Sequence, residues 1–216
     1  TIAILSVLTV AVLVLAPHTD DGELGAGGFI SKLIENDVKV TYVAFSTASK
    51  SVPAHLPRDI LKTEVRAAAS QLGICEDNLI ILDYEVRKLN YVRQEILESL
   101  IEIRSKSDYD LVLMPSLKDL HQDHSTVSQE GLRAFKNTTI LGYELIWNNL
   151  SFDTTSFVQL DRKHITAKYN ALQCYKSQAS KNYFSEEFIY SLAKTRGVQI
   201  GCEYAESFEV IRWVIN

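Results

Sequence analysis

The chain has 216 residues, 46% hydrophobic and 23% charged, which is enough for a sizeable core, and we expect one globular domain over residues 1–216. A net charge of −5, with no Lys/Arg block and no basic stripe interleaved with aromatic residues, argues against nucleic acid as a partner. The cysteines Cys75, Cys174 and Cys202 are odd in number and form no CxxC pair, which indicates reduced thiols in a cytoplasmic protein.

The first 17 residues carry no charge and superficially resemble a signal-peptide core or a short membrane span. This run is slightly too short to span a bilayer, lacks a basic leading region, and is rich in Ile, Val and Thr, as a doubly buried parallel strand would be. We therefore expect a strand at 10–16 that stays in the folded protein, and no membrane span.

Helices and strands alternate along the rest of the chain. In chain order, the predicted elements are helix 22–36, strand 38–45, helix 58–73 with Gly73 as C-cap, strand 79–82, helix 88–106, strand 110–115, helix 124–135, strands 139–146 and 157–160, helices 161–178 and 184–195, and strand 207–213. This alternation favours an α/β fold with a mostly parallel sheet.

Two clusters of polar side chains directly follow predicted strands. PHTDDGELGAGG (17–28) follows the first strand, and DLHQDH (119–124) follows the strand at 110–115. In a doubly wound sheet of order 3-2-1-4 the first and fourth strands are neighbours, and ligands bind above their carboxyl ends. We therefore expect the following side chains to converge: His18, Asp20, Asp21, His121, Asp123 and His124.

Such a convergence suggests a metal site, because zinc favours imidazole and carboxylate ligands and a catalytic zinc keeps one position for water. Taken singly, each cluster is also explained as a polar loop or as the cap of the following helix. The remaining histidines, His55 and His164, have no such neighbours in sequence and are predicted to be a loop residue and a helix residue.

Two other interpretations compete with a metal site. The glycines after the first strand suggest a dinucleotide-binding turn, but starting at Gly25 the third glycine of GxGxxG is Ile30. The second is a receiver-type signalling domain, with Asp83 and Ser116 completing an acidic phosphoacceptor site. That interpretation leaves the histidines of both clusters without a role.

PHTDDGELGAGG and DLHQDH resemble the paired (A/P)HPDDE and HxDH signatures of the PIG-L/LmbE-like zinc-dependent N-deacetylases. The likeness continues in KYNALQCYKSQ (168–178) and AKTRGVQIGCEYAESFEVIR (193–212). The resemblance implies a Rossmann-like three-layer α/β/α domain that removes an N-acetyl group from an N-acetylglucosamine-type conjugate. It also implies Zn²⁺ as the cofactor, with Fe²⁺ or another divalent metal as alternatives.

The resemblance also assigns a role to each polar residue. His18, Asp21 and His124 correspond to the metal ligands, and Asp20 corresponds to the general base. His121 corresponds to the side chain that stabilises the oxyanion or protonates the leaving amine, with Asp123 beside it as an orienting carboxylate. The family pattern does not identify the substrate-binding residues, the sugar conjugate or the oligomeric state, monomer or homo-oligomer.

The sequence departs from the family pattern at three positions. Thr19 replaces a proline, and Gly22 stands where a glutamate usually follows the aspartate pair, with Glu23 one position later. Leu61 occupies the place of an arginine in the family's RxxE motif, so that a substrate contact is either missing or supplied by Arg58. None of these positions is a proposed ligand, and we expect metal binding to persist.

Overall fold

The computed structural model describes residues 10–215, which contain a seven-stranded sheet of order β3-β2-β1-β4-β5-β7-β6. The strands are β1 (Ala11–His18), β2 (Lys39–Ser46), β3 (Leu79–Ile81), β4 (Leu111–Pro115), β5 (Thr139–Tyr143), β6 (Ser156–Leu160) and β7 (Tyr204–Arg212). The first five are parallel, and β7 pairs antiparallel with both β5 and β6. The predicted α/β class and the 3-2-1-4 order are confirmed. Residues 1–9 of the N-terminal run lie outside the described residues.

Within the described residues, six α-helices cover the two faces of the sheet. They are α1 (Asp21–Glu35), α2 (Ile60–Leu72), α3 (Arg93–Lys106), α4 (Gln122–Ala134), α5 (Arg162–Leu172) and α6 (Glu186–Gln199). Because side chains of a strand alternate between faces, β1 sends Val12, Val14 and Ala16 into one buried cluster, and Leu13 and Leu15 into the other. The first cluster packs under α1, α2, α5 and α6, and the second packs under α3 and α4, which gives the expected three layers.

The helix predicted at 161–178 is shorter in the structure, because α5 ends at Leu172. Beyond this end, Tyr175 is 1% exposed and places its hydroxyl beneath the loop that follows β1. The apolar periodicity of the sequence predicts that the helix continues past Leu172. The chain instead leaves the helix, and Tyr175 is buried. Gly73 has a φ of 88° at the end of α2, as expected for a left-handed C-cap.

Helix α1 is interrupted at Ala26, whose φ of −143° leaves the helical conformation. A buried ion pair occupies this break: Lys168 Nζ donates to the Leu24 carbonyl at 2.7 Å and to Glu206 at 2.7 Å. The Glu206 carboxylate in turn accepts from the backbone N–H groups of Gly28 (3.0 Å) and Phe29 (2.7 Å). The broken helix therefore has both of its inner ends satisfied by side chains.

The three cysteines are free thiols, in agreement with the sequence prediction. His55 is exposed in a loop, and His164 lies in α5 with Nε2 2.6 Å from Glu35. Between residues 10 and 215, no helix is long and apolar enough to cross a membrane.

Candidate metal centre and active site

The two polar loops meet at the carboxyl ends of β1 and β4, which are hydrogen-bonded neighbours in the sheet. His18 is the last residue of β1, and Asp21 is the first residue of α1. On the other loop, His121 is the N-cap of α4 and His124 lies in its first turn. Adjacent parallel strands thus bring together residues that are more than 100 positions apart, as the topology predicts.

Three side-chain atoms form a nearly equilateral triangle at this junction. His18 Nδ1 lies 3.1 Å from Asp21 Oδ2, His124 Nε2 lies 3.2 Å from the same oxygen, and the two nitrogens are 3.1 Å apart. Ligand atoms of a tetrahedral zinc are about 3.3–3.4 Å apart, given bonds of about 2.0–2.1 Å. The donor set and its spacing therefore fit a small divalent metal, with one face of the triangle left for water or substrate.

The other nitrogen of each imidazole contacts a buried carboxylate. His18 Nε2 lies 3.0 Å from Asp123 Oδ2, and His124 Nδ1 lies 2.8 Å from Asp119 Oδ2. Carboxylates in this position fix the tautomer and the orientation of a ligating imidazole. Sequence reasoning did not single out Asp119, although it opens the DLHQDH motif, five residues before His124.

The charged groups of the triangle shift one another's pKa values. Burial opposes protonation of the imidazoles, but the charge of Asp21 and the carboxylates behind the rings outweigh it. They raise the pKa of His18 to about 9 and the pKa of His124 to about 10. Burial alone would raise the pKa of Asp21, yet the two imidazoles hold it well below its usual range. The carboxylate is thus ionised and suited to a cation, which competes with protons for the two nitrogens.

His121 belongs to a second possible ligand set. Nitrogens of His18, His121 and His124 all lie within 4.8 Å of one another, a wider grouping than the triangle with Asp21. The Nδ1 atom of His121 accepts a hydrogen bond from the backbone N–H of Asp123 at 3.2 Å, so its proton resides on Nε2. Burial and the neighbouring imidazoles lower the pKa of His121 to about 4, which keeps the ring neutral at pH 7.

Asp20 is the N-cap residue of α1, but its side chain makes no capping hydrogen bond. The carboxylate instead lines the cleft in front of the triangle. Burial and the charge of Asp21 raise the pKa of Asp20, and Lys181 across the cleft partly offsets this effect. The alternative explanation of the aspartate pair was that it caps the following helix. The side chain of Asp20 does not do so.

Asp123 was expected to orient the ring of His121. In the structure its carboxylate contacts the ring of His18 instead. It also accepts hydrogen bonds from the backbone N–H groups of Arg87 (2.6 Å) and Leu89 (3.2 Å). Because Asp123 occupies the first turn of α4, its side chain points across to β1, and only its backbone N–H reaches His121. The expected orienting contact is thus made by the peptide group rather than by the acid.

A buried polar network supports the loop that carries Asp20. Glu23 is 0% exposed and contacts the hydroxyls of Tyr42 and Tyr175, the latter at 2.9 Å. Both hydroxyls also reach the Thr19 carbonyl, at 3.0 and 2.6 Å, and Tyr42 accepts from the backbone N–H of Gly22 at 3.1 Å. A Cβ at Gly22 would lie 2.5 Å from Tyr42, so glycine is the residue that fits this position.

The triangle opens into a cleft of about 520 Å³, within the range of ligand pockets. Leu61 lines this cleft, so no arginine lies at the position expected from the family pattern. Arg58 instead donates to the Ser49 carbonyl at 3.3 Å, and the guanidinium at the cleft belongs to Arg87. The cleft residues that sequence reasoning missed include Arg87, Trp147, Asn148, Gln178, Lys181 and Tyr183.

The comparison with protein families agrees with this geometry. The model of the PIG-L family, described as GlcNAc-PI de-N-acetylase, matches residues 13–135, more than half of the chain. The matched segment contains both loops of the triangle. The motif likeness seen in the sequence is therefore part of a longer match.

Individual proteins resemble the chain over most of its length. The uncharacterized deacetylase YaiS of Escherichia coli (strain K12) is 28% identical over 171 residues, which cover 77% of this chain and 90% of that protein. Diacetylchitobiose deacetylase of Thermococcus kodakarensis is 24% identical over 224 residues, covering 93% and 82%. The structure of N,N'-diacetylchitobiose deacetylase from Pyrococcus horikoshii, complexed with its inhibitor MPG, gives a TM-score of 0.76 at 22% identity and covers 93% and 83%. This last likeness shows a shared fold.

Proposed function

Because the chain belongs to the PIG-L family of de-N-acetylases, we propose that it hydrolyses the N-acetyl group of an amino-sugar conjugate at a divalent metal held by His18, Asp21 and His124. The observation that carries this proposal is the triangle of two imidazole nitrogens and one carboxylate oxygen, with edges of 3.1–3.2 Å. Two similar proteins are named as diacetylchitobiose deacetylases, which supports an N-acetylated sugar as the substrate class.

Zinc is the proposed metal, and Fe²⁺ or another divalent ion suits the same donor set of two imidazoles and one carboxylate. When bound, such a metal polarises the amide carbonyl and lowers the pKa of water to about 7. Asp119 and Asp123 hold the outer nitrogens of the two ligating rings, so that each ring presents its free nitrogen to the ion.

Asp20 is the proposed general base. Its carboxylate lines the cleft without a capping hydrogen bond, and its raised pKa brings it closer to neutral pH, where a base works best. In the proposed reaction Asp20 takes a proton from the water that attacks the acetyl carbon. It then returns that proton to the sugar nitrogen as the C–N bond breaks, so that a free amine and acetic acid leave, and the acid ionises to acetate in solution.

His121 is proposed to stabilise the oxyanion, the first of the two roles implied by the family resemblance. Its Nδ1 is occupied by the backbone N–H of Asp123, and its low pKa of about 4 keeps the ring neutral. A neutral ring with the proton on Nε2 donates a hydrogen bond to a developing negative oxygen but is a poor source of a proton for an amine. The proton for the leaving group is therefore assigned to Asp20.

An amine-release assay tests the proposed activity. Purified protein, with its metal content measured, is incubated with N-acetylglucosamine, N,N'-diacetylchitobiose and other N-acetylglucosamine conjugates, and free amine is quantified. We expect release that is abolished by a chelator and restored by Zn²⁺. Asp20→Asn should release little amine, because an amide accepts no proton, and the exposed Asp83→Asn variant is its matched control. Metal-loaded protein that releases no amine from any of these conjugates would refute the proposed activity.

A further inference from the structure

Two aromatic side chains from separate loops meet at the edge of the catalytic cleft. Trp147 lies between β5 and β6, and Tyr183 lies between α5 and α6. Their rings are stacked, with centroids 3.9 Å apart and an interplanar angle of 13°. Both side chains line the cleft that also contains Asp20 and the ligand triangle. We refer to this stacked pair as the aromatic wall.

The aromatic wall lies at the edge of the hydrophobic core, against which Tyr183 packs. Trp147 is 39% exposed, whereas the large aromatic residues of the core, such as Tyr42 and Phe45, are 0% exposed. The ring centroid of Phe188 in α6 lies 6.1 Å from that of Trp147, and Lys181 Nζ lies 5.5 Å from the centroid of the Tyr183 ring. The stacked pair is therefore braced by its neighbours while part of its apolar surface is presented to the cleft.

The loop of the aromatic wall is attached to the loop that carries the metal ligands. Asn148, which follows Trp147, accepts a backbone hydrogen bond from Leu120 at 3.2 Å. Its side-chain nitrogen lies 3.5 Å from Asp119 Oδ2 and from His124 Nδ1. These contacts hold the aromatic wall at a fixed position beside the triangle.

Polar side chains surround the wall within the same cleft, namely Asn148, Ser177, Gln178, Ser180 and Lys181. Amide, hydroxyl and ammonium groups are suited to the hydroxyls of a sugar, and an aromatic face is suited to the C–H groups on one side of a pyranose ring. Asn148, Ser177 and Gln178 already hydrogen-bond within the protein. An acyl chain would still offer no partner to the Ser180 hydroxyl or the Lys181 ammonium, which is costly once they are buried. The combination therefore favours a carbohydrate over a lipid.

We propose that Trp147 and Tyr183 form a subsite for the sugar unit that is linked to the acetamido sugar. This inference rests on the proposed deacetylase function, because it places the N-acetyl group at the triangle and the adjoining ring on the wall. It makes Trp147 a specificity-determining residue that distinguishes oligosaccharide conjugates from free N-acetylglucosamine.

Steady-state kinetics of Trp147→Ala test the subsite. Since aromatic stacking contributes modestly, we expect KM for N,N'-diacetylchitobiose to rise about 3- to 10-fold, with kcat and the activity on N-acetylglucosamine nearly unchanged. Trp147→Phe keeps an aromatic face and should recover most of the loss. Trp213→Ala is the matched control, because Trp213 lies beyond the end of β7 and outside the residues that line the cleft. Equal loss on both substrates, or no loss on either, would overturn the subsite.

Fluorescence provides a measurement that does not require turnover. The chain has two tryptophans, so that Trp213→Phe leaves Trp147 as the single reporter. In this variant, combined with Asp20→Asn to slow hydrolysis, N,N'-diacetylchitobiose should change the emission of Trp147 in a saturable way. A response together with an inactive parent protein would support the subsite and contradict the deacetylase function. Turnover without any response, or a response to decanoate alone, would overturn the subsite.

Discussion

Replacement of Asp119 by asparagine tests how the metal site is organised. Asp119 is 4% exposed, and its two carboxylate oxygens accept from two different donors. Oδ2 faces His124 Nδ1 at 2.8 Å, and Oδ1 faces the backbone N–H of His121 at 2.8 Å. The side-chain amide of asparagine has a single oxygen, which is unable to accept from both donors. Either the His124 ring loses its tautomeric partner or the backbone N–H of His121 loses its acceptor.

The expected effect of Asp119→Asn is a 10- to 100-fold weaker metal affinity, which corresponds to about 1.4–2.7 kcal/mol. Competition with a chromogenic chelator gives the dissociation constant, and circular dichroism verifies the fold. Turnover should recover when free metal exceeds the new dissociation constant. Asp108→Asn, at an exposed position ahead of β4, is the matched control and should bind metal like the parent. An unchanged dissociation constant in Asp119→Asn would refute the reasoning.

Three further substitutions give separate expectations. Asp20→Asn should retain metal and lose about 10²–10⁴-fold in kcat, since an amide accepts no proton; near-normal turnover would remove Asp20 from its role. Burial raises the pKa of Glu23 from 4.5 to about 8, so the parent's free energy of unfolding should fall as pH rises through this window. Glu23→Gln should lack that fall in urea titrations at pH 5 and pH 8.5, and parallel pH curves would contradict it. Gly22→Ala should cost about 1–3 kcal/mol and lower Tm, because its Cβ would lie 2.5 Å from Tyr42; an unchanged Tm would show that the loop adapts.

The order of the first four strands and the ligand loops could be predicted because their signals are local, whereas the antiparallel placement of β7 between β5 and β6 was not predicted. Each loop follows a short apolar strand at once, and the doubly wound topology then decides which strand ends are neighbours. His18 and His124 are therefore placed by sequence alone, although they are 106 positions apart. The prediction of one shared site rested only on the strand order and on the chemistry of imidazole and carboxylate groups.

The groups behind and beside the ligands could not be predicted in the same way. Asp119 and Asp123 are both acids near a histidine, and sequence distance does not reveal which ring each one faces. Tyr175 interrupts a helical pattern because its hydroxyl is needed beneath the loop after β1, a contact across 156 positions. Trp147 and Tyr183 lie on irregular connections, where apolar periodicity carries no information about the cleft.

The late segments of the family resemblance also gain a physical explanation. Lys168 and Glu206 lie in KYNALQCYKSQ and in AKTRGVQIGCEYAESFEVIR, far from the ligand loops in sequence. Together they satisfy the backbone at the break in α1, between Leu24 and Phe29. Their role is thus to hold the helix that begins with Asp21, and neither residue belongs to the ligand triangle.

The metal content of Asp21→Ala compared with His121→Ala tests the central claim most directly. The two residues distinguish the compact triangle from the wider group of three histidines. Metal analysis of the purified, folded variants should find about one equivalent in His121→Ala, as in the parent protein, and little in Asp21→Ala, because a site with two protein ligands binds weakly. Full occupancy in Asp21→Ala together with loss in His121→Ala would contradict the account and assign the site to the three histidines.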